Sequence, residues 1–310
     1  MKEHTSVSSY PAYQPCVVTI GTFDGVHVGH RAILERLVAS ARREGIQSVL
    51  LTFFPHPRMV LQKESNIKLL NTISEKKQLL KEIGLDHLIV HPFTQEFSRL
   101  SAVEFVRDIL VAAVNAKKVV IGYDHRFGRN RTASIDDLRE FGQVYNFEVV
   151  EISAQEISEV TVSSTKIRRA LEEGDVSTAN KFLGYPYMLS GVVVPGKQIG
   201  RTLAYPTANL EIKEKYKLIP ANGVYIVFSE INGRVVYGIT SIGTNPTVSG
   251  EDRTIETYFL DYEGDLYDHN LRIEFIAKIR DEATFESVHE LQVAIQKDEA
   301  FARNYLKDFG

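Results

Sequence analysis

Two histidines three residues apart, His27 and His30, close the string Gly21-Thr22-Phe23-Asp24-Gly25-Val26-His27-Val28-Gly29-His30. An apolar run, Cys16 to Ile20, precedes this string, and residues 28–43 carry apolar side chains near helical spacing. It is therefore expected to join a strand to a helix. Glycines let a backbone approach a polyphosphate closely. A helix N-terminus adds free N–H groups and partial positive charge. Imidazoles on that first turn can donate hydrogen bonds to a phosphorus centre as charge builds in a transition state. A histidine pair alone would equally serve as a helix cap or a metal pair. A zinc site would need further Cys or His close by, and the chain has one cysteine.

Three more clusters carry chemistry. Ser163-Ser164-Thr165-Lys166-Ile167-Arg168 puts hydroxyls and cations at a helix start, which suits β- and γ-phosphates and equally describes a capped helix with a solvated basic face. Gly196-Lys197-Gln198-Ile199-Gly200-Arg201 precedes Pro206-Thr207-Ala208-Asn209. The oxygens of Thr207 and Asn209 suit magnesium that is also held by substrate phosphates, or they cap a turn after Pro206. Gly191 to Lys197 spells six-sevenths of a phosphate loop, but Gln198 replaces the required hydroxyl and strands surround it, so that reading is rejected. Glu256 alternates with Ile255, Thr257 and Phe259, and on that pattern alone it reads as an ordinary outward-facing strand carboxylate.

The elements that must hold these groups change character midway. Strands at 16–20, 48–54, 88–90, 118–121 and 147–152 alternate with helices at 28–43, 74–83, 101–114 and 134–142, and helices at 163–172 and 176–183 follow. This alternation implies a doubly wound parallel sheet of the α/β class, with ligands beyond the C-terminal strand ends. From Met188 to Lys278 short strands and turn dipeptides such as Asn222-Gly223 and Asn232-Gly233 suggest a small antiparallel β-barrel, closed by helix over 284–308. The division is expected at 1–185 and 186–310.

Composition narrows the classes. The chain has 310 residues, 44% hydrophobic and 25% charged, which suits about two globular domains. Its net charge is −4. Before position 186 there are 23 basic and 22 acidic residues, and after it 13 and 18, so neither half is a basic module that would hold nucleic acid by bulk charge. The single Cys16 excludes an internal disulfide and fits a reducing cytoplasm. Neither a signal peptide nor a membrane span is expected.

The string 21–30 resembles the G-x-F-D-G-x-H-x-G-H signature of nucleotidyltransferases, in the variant found in bacterial FAD synthetases. Phe53-Phe54-Pro55-His56-Pro57, Gly122-Tyr123-Asp124-His125-Arg126-Phe127-Gly128 and the 163–168 string are similar to that family's further motifs, in order. His125 and Ala133 depart from the pattern, where an aromatic and a glycine are usual. Gly200-Arg201-x-x-x-x-Pro206-Thr207-Ala208-Asn209 resembles the riboflavin kinase signature, which segments 220–225, 241–247 and 256–261 continue.

The resemblance to bifunctional bacterial riboflavin kinase/FAD synthetases implies an N-terminal nucleotidyltransferase domain and a C-terminal kinase barrel. It implies phosphorylation of riboflavin to FMN by ATP, then adenylylation of FMN to FAD with release of pyrophosphate. It assigns catalysis to Glu256, His27 and His30. It assigns ATP and phosphate binding to Gly21, Phe23, Asp24, Gly29, Ser164, Thr165, Arg168, Gly200 and Arg201. Flavin binding falls to Asp124 and His56, and magnesium, entering with ATP, to Thr207 and Asn209. Two other outcomes stay open at this point: a slow or silent adenylyltransferase beside an active kinase, or a flavin-sensing module without turnover.

Overall fold

The computed structural model describes residues 1–62, 66–123, 125–153, 162–196, 205–247 and 250–307, and of residues 245–247 and 250–252 the backbone alone. It divides into two compact units, Met1–Ser163 and Ser164–Gly310.

The first unit is built on a parallel sheet of six strands: β1 (Lys2–His4), β2 (Cys16–Ile20), β3 (Gln47–Phe53), β4 (His87–His91), β5 (Ala116–Gly122) and β6 (Glu148–Ile152), in the order β1-β4-β3-β2-β5-β6. All five residues of β2 are buried, as a strand covered on both faces requires. One face packs on α1 (Val28–Glu44), through Leu34, Leu37 and Val38. A short α2 (Pro57–Leu61) follows β3, and α3 (Ile73–Ile83) packs beside α1. The other face packs on α4 (Ala102–Glu104), the π-helical stretch Phe105–Ala113 that continues it, and α5 (Ile135–Tyr145).

Local signals set the helix ends. Thr72 and Glu75 form a capping box at α3, Ser101 and Glu104 one at α4, and Ser134 and Asp137 one at α5. Gly45 and Gly84 end α1 and α3 in the left-handed conformation that glycine adopts without strain. The sequence predicts an ordinary helix over 101–114, and the structure widens it to π pitch after Glu104. Val106, Leu110 and Val114 are all buried, and a spacing of four fits either pitch.

The second unit begins with α6 (Ser164–Glu172) and α7 (Val176–Leu183). Six antiparallel strands follow: β7 (Met188–Val194), β8 (Thr207–Glu211), β9 (Gly223–Ile231), β10 (Arg234–Thr247), β11 (Gly250–Phe259) and β12 (Asn270–Arg280). They close into a barrel in the order β10-β11-β8-β7-β12-β9. The helix α8 (Val288–Lys307) packs on β10 and β12, where Ala302 joins an apolar cluster with Ile239 of β10 and Ile276 and Ala277 of β12. The helix pair is fastened to the barrel by Asn180, whose amide donates to the Phe275 carbonyl at 2.8 Å and accepts from the Tyr187 N–H at 2.7 Å. The expected α/β sheet, antiparallel barrel and closing helix are all present, and α6 and α7 group with the barrel. Gly191 lies inside β7, where a Cβ would collide with the Glu211 carbonyl, so no phosphate loop forms there.

Candidate active sites

In the first unit the string 21–30 leaves β2 and enters α1 beyond the C-terminal strand ends. Phe23 folds back over Gly21, so that a Cβ on Gly21 would stand 2.9 Å from the Phe23 ring. Phe23 (φ 45°), Gly25 (φ 88°) and Val26 (φ 37°) are all left-handed. For β-branched Val26 this is strained, on the order of 1–3 kcal/mol, and surrounding bonds must hold it. The Asp24 carboxylate, 2% exposed, accepts from the N–H of Leu70 at 3.0 Å and of Asn71 at 3.5 Å. The Thr22 carbonyl accepts from the Thr52 hydroxyl at 3.2 Å and from the Lys76 ammonium at 2.6 Å.

The held turn delivers the histidines. His27 caps α1, its Nδ1 accepting from the His30 N–H at 3.3 Å, which places its ring proton on Nε2. The two rings stack with centroids 3.6 Å apart. Burial lowers the His27 pKa to about 4 against the pull of Asp24, and it holds His30 well below the usual imidazole range, helped by His27 and Lys76. Both rings are neutral at pH 7 and present N–H donors rather than fixed charge. Gly29 is buried in the first turn of α1. His56 caps α2, its Nδ1 accepting from the Arg58 N–H at 3.2 Å, just past the end of β3. Asp124 lies outside the described residues. Beside it, Ala133 exchanges two backbone hydrogen bonds with Phe127, and the His125 ring stacks on Phe127 at 6.2 Å.

Sequence reasoning missed two features of this region. Phe53, Phe93 and Phe97 form an aromatic cluster past β3 and β4, with centroid separations of 5.4 to 5.8 Å. Its members are scattered along the chain, so no local pattern marks it. Lys76 is likewise invisible: nothing in Glu75-Lys76-Lys77 says that Lys76 is 4% exposed while its neighbour pairs with Glu3.

In the second unit the site is set by strand register. Asn209 of β8 stands opposite Glu256 of β11, and Glu256 stands opposite Ser241 of β10. The inward alternates, Ala208, Leu210, Ile255 and Thr257, are buried, so Thr207, Asn209 and Glu256 share the outer face. The Thr207 hydroxyl donates to the Glu256 carboxylate at 3.2 Å. The structure thus places Thr207 and Asn209 in a strand rather than a turn cap. A Cβ on Gly196 would run into the Asn209 amide, so the loop backbone approaches here as the glycine allows. Gly200 and Arg201 lie outside the described residues. Arg253 and Glu282, neither marked by the sequence, fasten the neighbouring motifs. Arg253 donates to the carbonyls of Ile219 and Pro220 and to the Asn222 side chain, while Glu282 accepts from Asn222 and from the Thr244 N–H. Ser164, Thr165 and Arg168 occupy the first turns of α6, with Thr165 exposed and Ile167 turned inward.

No group of three or more His, Cys, Asp or Glu side chains that could hold a metal occurs among the described residues. Thr207, Asn209 and Glu256 instead offer one carboxylate and two neutral side-chain oxygens on a single face. That set suits a hard cation whose remaining ligands are phosphate and water.

Comparison with known proteins decides the lineage. The family model described as FAD synthetase matches residues 10–166, and that described as riboflavin kinase matches 183–306. The bifunctional riboflavin kinase/FMN adenylyltransferase of Listeria monocytogenes is 37% identical over 93% of this chain and 92% of its own. The chain belongs to the riboflavin kinase/FMN adenylyltransferase family. Its Escherichia coli (strain K12) member is 35% identical over 94% of this chain and 92% of its own. A crystal structure from Streptococcus pneumoniae, named as a macrolide-efflux protein, superposes with a TM-score of 0.89 at 31% identity and covers 98% of both chains. No helix among the described residues here is long and apolar enough to cross a membrane. Enzymes of the riboflavin kinase/FMN adenylyltransferase family generally use ATP with a divalent metal.

Proposed function

We propose that this chain phosphorylates riboflavin to FMN in the second unit and adenylylates FMN to FAD in the first. The observation that supports it most is the occurrence, in one chain of this family, of two chemically distinct sets: a neutral stacked imidazole pair at a helix start, and a carboxylate with two oxygen donors on a barrel face.

In the kinase reaction the Glu256 carboxylate takes the proton of the riboflavin 5′-hydroxyl as the oxygen attacks the γ-phosphorus of ATP. The products are FMN and ADP. Thr207 and Asn209, with Glu256 beside them, would hold magnesium, which when bound offsets the growing charge on the phosphates. Gly200 and Arg201, close to them in sequence, take the phosphates. Positioning supplies most of the acceleration.

In the adenylyl transfer the FMN phosphate, already ionised near pH 7, attacks the α-phosphorus of ATP, and pyrophosphate leaves. No general base is needed. Neutral His27 and His30 donate N–H bonds to the oxygens that gain charge. Gly21, Phe23, Asp24 and Gly29 shape the turn that lets ATP approach. The resemblance assigns the departing pyrophosphate to Ser164, Thr165 and Arg168 at the start of α6. Asp124 and His56 contact the flavin. No nucleophile-plus-base pair calls for a covalent intermediate. The buried, reduced Cys16 suits a cytoplasmic enzyme.

Product analysis over time from riboflavin and Mg-ATP tests the whole reading. Riboflavin should pass through FMN to FAD. Accumulation of FMN alone would leave only the kinase, and flavin binding without ATP consumption would leave only a sensing module.

A further inference from the structure

Lys76 is a buried cation that no motif contains. Burying an ammonium is costly unless it is partnered, so its place needs a reason. It sits on α3, 4% exposed, and its one acceptor among the described residues is the Thr22 carbonyl, at 2.6 Å. That carbonyl belongs to the residue before the three left-handed positions of the turn. Asp24 acts on it electrostatically, and is itself buried and tied to the backbone of residues 70 and 71. The same ammonium also acts electrostatically on His30, while Asp24 acts on His27.

We infer that Lys76 is a positioning residue of the adenylyl-transfer site: its ammonium fixes the Thr22 carbonyl and balances Asp24, so that the turn presents both imidazoles at a fixed separation and in one tautomer. This rests on the reading of the first unit as an adenylyltransferase. The cap on α1 works only while His27 Nδ1 is bare. A proton arriving there would break the bond from the His30 N–H and set two charged or half-charged rings against each other at 3.6 Å. Among the described residues the charged groups that act on the pair are Asp24 on the turn and Lys76 on α3, together with the rings on each other, while Glu75 of α3 is engaged by the Thr72 N–H at 2.8 Å. Removing the Lys76 charge takes away a cation that opposes protonation of the rings and so draws a proton onto them. Removing the Asp24 charge does the opposite.

The test uses the full chain with Lys76→Met, Lys76→Arg and Asp24→Asn. FAD formation from FMN and Mg-ATP is followed against pH, and riboflavin phosphorylation by the same samples reports on the second unit. In Lys76→Met, kcat for FAD formation should fall about 10- to 100-fold at neutral pH with KM for ATP changed less than about threefold. Its acidic limb should move up by about one pH unit or more. Lys76→Arg should restore most of the rate and the original limb, and Asp24→Asn should move the limb down.

A rise in KM as the main effect would mean that Lys76 grips the nucleotide, and would overturn the inference. So would limbs shifting the same way in Lys76→Met and Asp24→Asn, or no shift in either. If Lys76→Met fails to fold, the limbs of Lys76→Arg and Asp24→Asn decide alone, and either one off its expected course overturns the inference. Wild type that makes no FAD from FMN sinks the adenylyltransferase reading instead, so the two failures are distinguishable.

Discussion

The two candidate sites are positioned by different physical means. In the first unit, the candidate site hangs on a turn with Phe23 and Val26 in left-handed backbone, held by hydrogen bonds that involve Asp24, Thr52 and Lys76. In the second, Thr207, Asn209 and Glu256 are placed by the register of paired strands, with ordinary extended backbone and partial exposure. A turn can bring backbone N–H groups and a helix terminus against phosphate, which a barrel wall cannot, but it needs a buried polar scaffold to persist. A barrel wall needs only its ladder. Damage to the first site should therefore spread through protonation and strain, and damage to the second should stay local.

The sharpest separation comes from replacing the groups themselves. His27→Ala with His30→Ala should lower kcat for FAD formation by about 10³-fold or more, since a single preorganised donor contributes about 10²–10³. KM for ATP should move far less, and FMN formation should be unchanged. Equal losses in both constants would mean that the rings only bind. Glu256→Gln should lower FMN formation by about 10²–10³-fold, within the range of a general base, and leave adenylylation of supplied FMN intact. Normal kinase turnover in that variant would remove Glu256 from the mechanism.

The units should also part company with pH. His27 has its pKa near 4 when folded, against about 6.5 in an unfolded chain. The unfolded state thus binds the extra proton, and the stability from keeping His27 neutral is complete above about pH 6.5 and drains as pH falls towards 4. Between pH 7 and pH 5 that is a loss of about 2 kcal/mol from His27 alone, with His30, His87 and His91 shifted in the same direction. The second unit holds only His269 and His289, both exposed. Amide exchange in the intact chain, corrected for the intrinsic pH dependence, should show protection falling on acidification in residues 1–153 and little change in 205–307. Substituting His27 with Gln should flatten the first slope.

Much of this contrast is legible in the sequence. The strand-helix alternation, the capping box at Ser101 and Glu104, the stop at Gly45 and the outward place of Glu256 all follow from local period and end signals. What escapes is set by partners distant along the chain. β1 is Lys-Glu-His, with no apolar period, and joins the sheet beside β4, where His4 meets His87 at 2.9 Å and Tyr10 packs edge-on to both rings. Thr-Ala-Asn-Leu-Glu reads as polar turn material, yet Ala208 and Leu210 are enough to seat it as β8. Lys76 and Lys77 are chemically identical neighbours, and only the fold of the turn against α3 separates a buried ammonium from a half-buried one. The sites show the same division. Motif residues announce their types, while Arg253 and Glu282 are found only once the 219–222 segment and residues 241–244 of β10 are brought beside them.

The smallest predicted effect probes whether the barrel site is as local as its construction implies. The loop backbone at Gly196 lies against the Asn209 amide, so Gly196→Ala leaves no room for that amide where it now stands. The colliding atoms are the far end of a side chain, which can rotate away without disturbing β8, so stability should change by less than about 1 kcal/mol. The displaced amide is one of the oxygen donors proposed for magnesium, and its loss should raise KM for Mg-ATP in the kinase reaction about 3- to 10-fold, the scale of one neutral hydrogen bond or ligand. Chain unfolding by urea and FAD formation from FMN should match wild type. A variant that loses stability instead of kinase affinity would show that Gly196 serves the barrel's packing, and the sharp line drawn between a ladder-built site and a scaffold-built one would no longer hold for this loop.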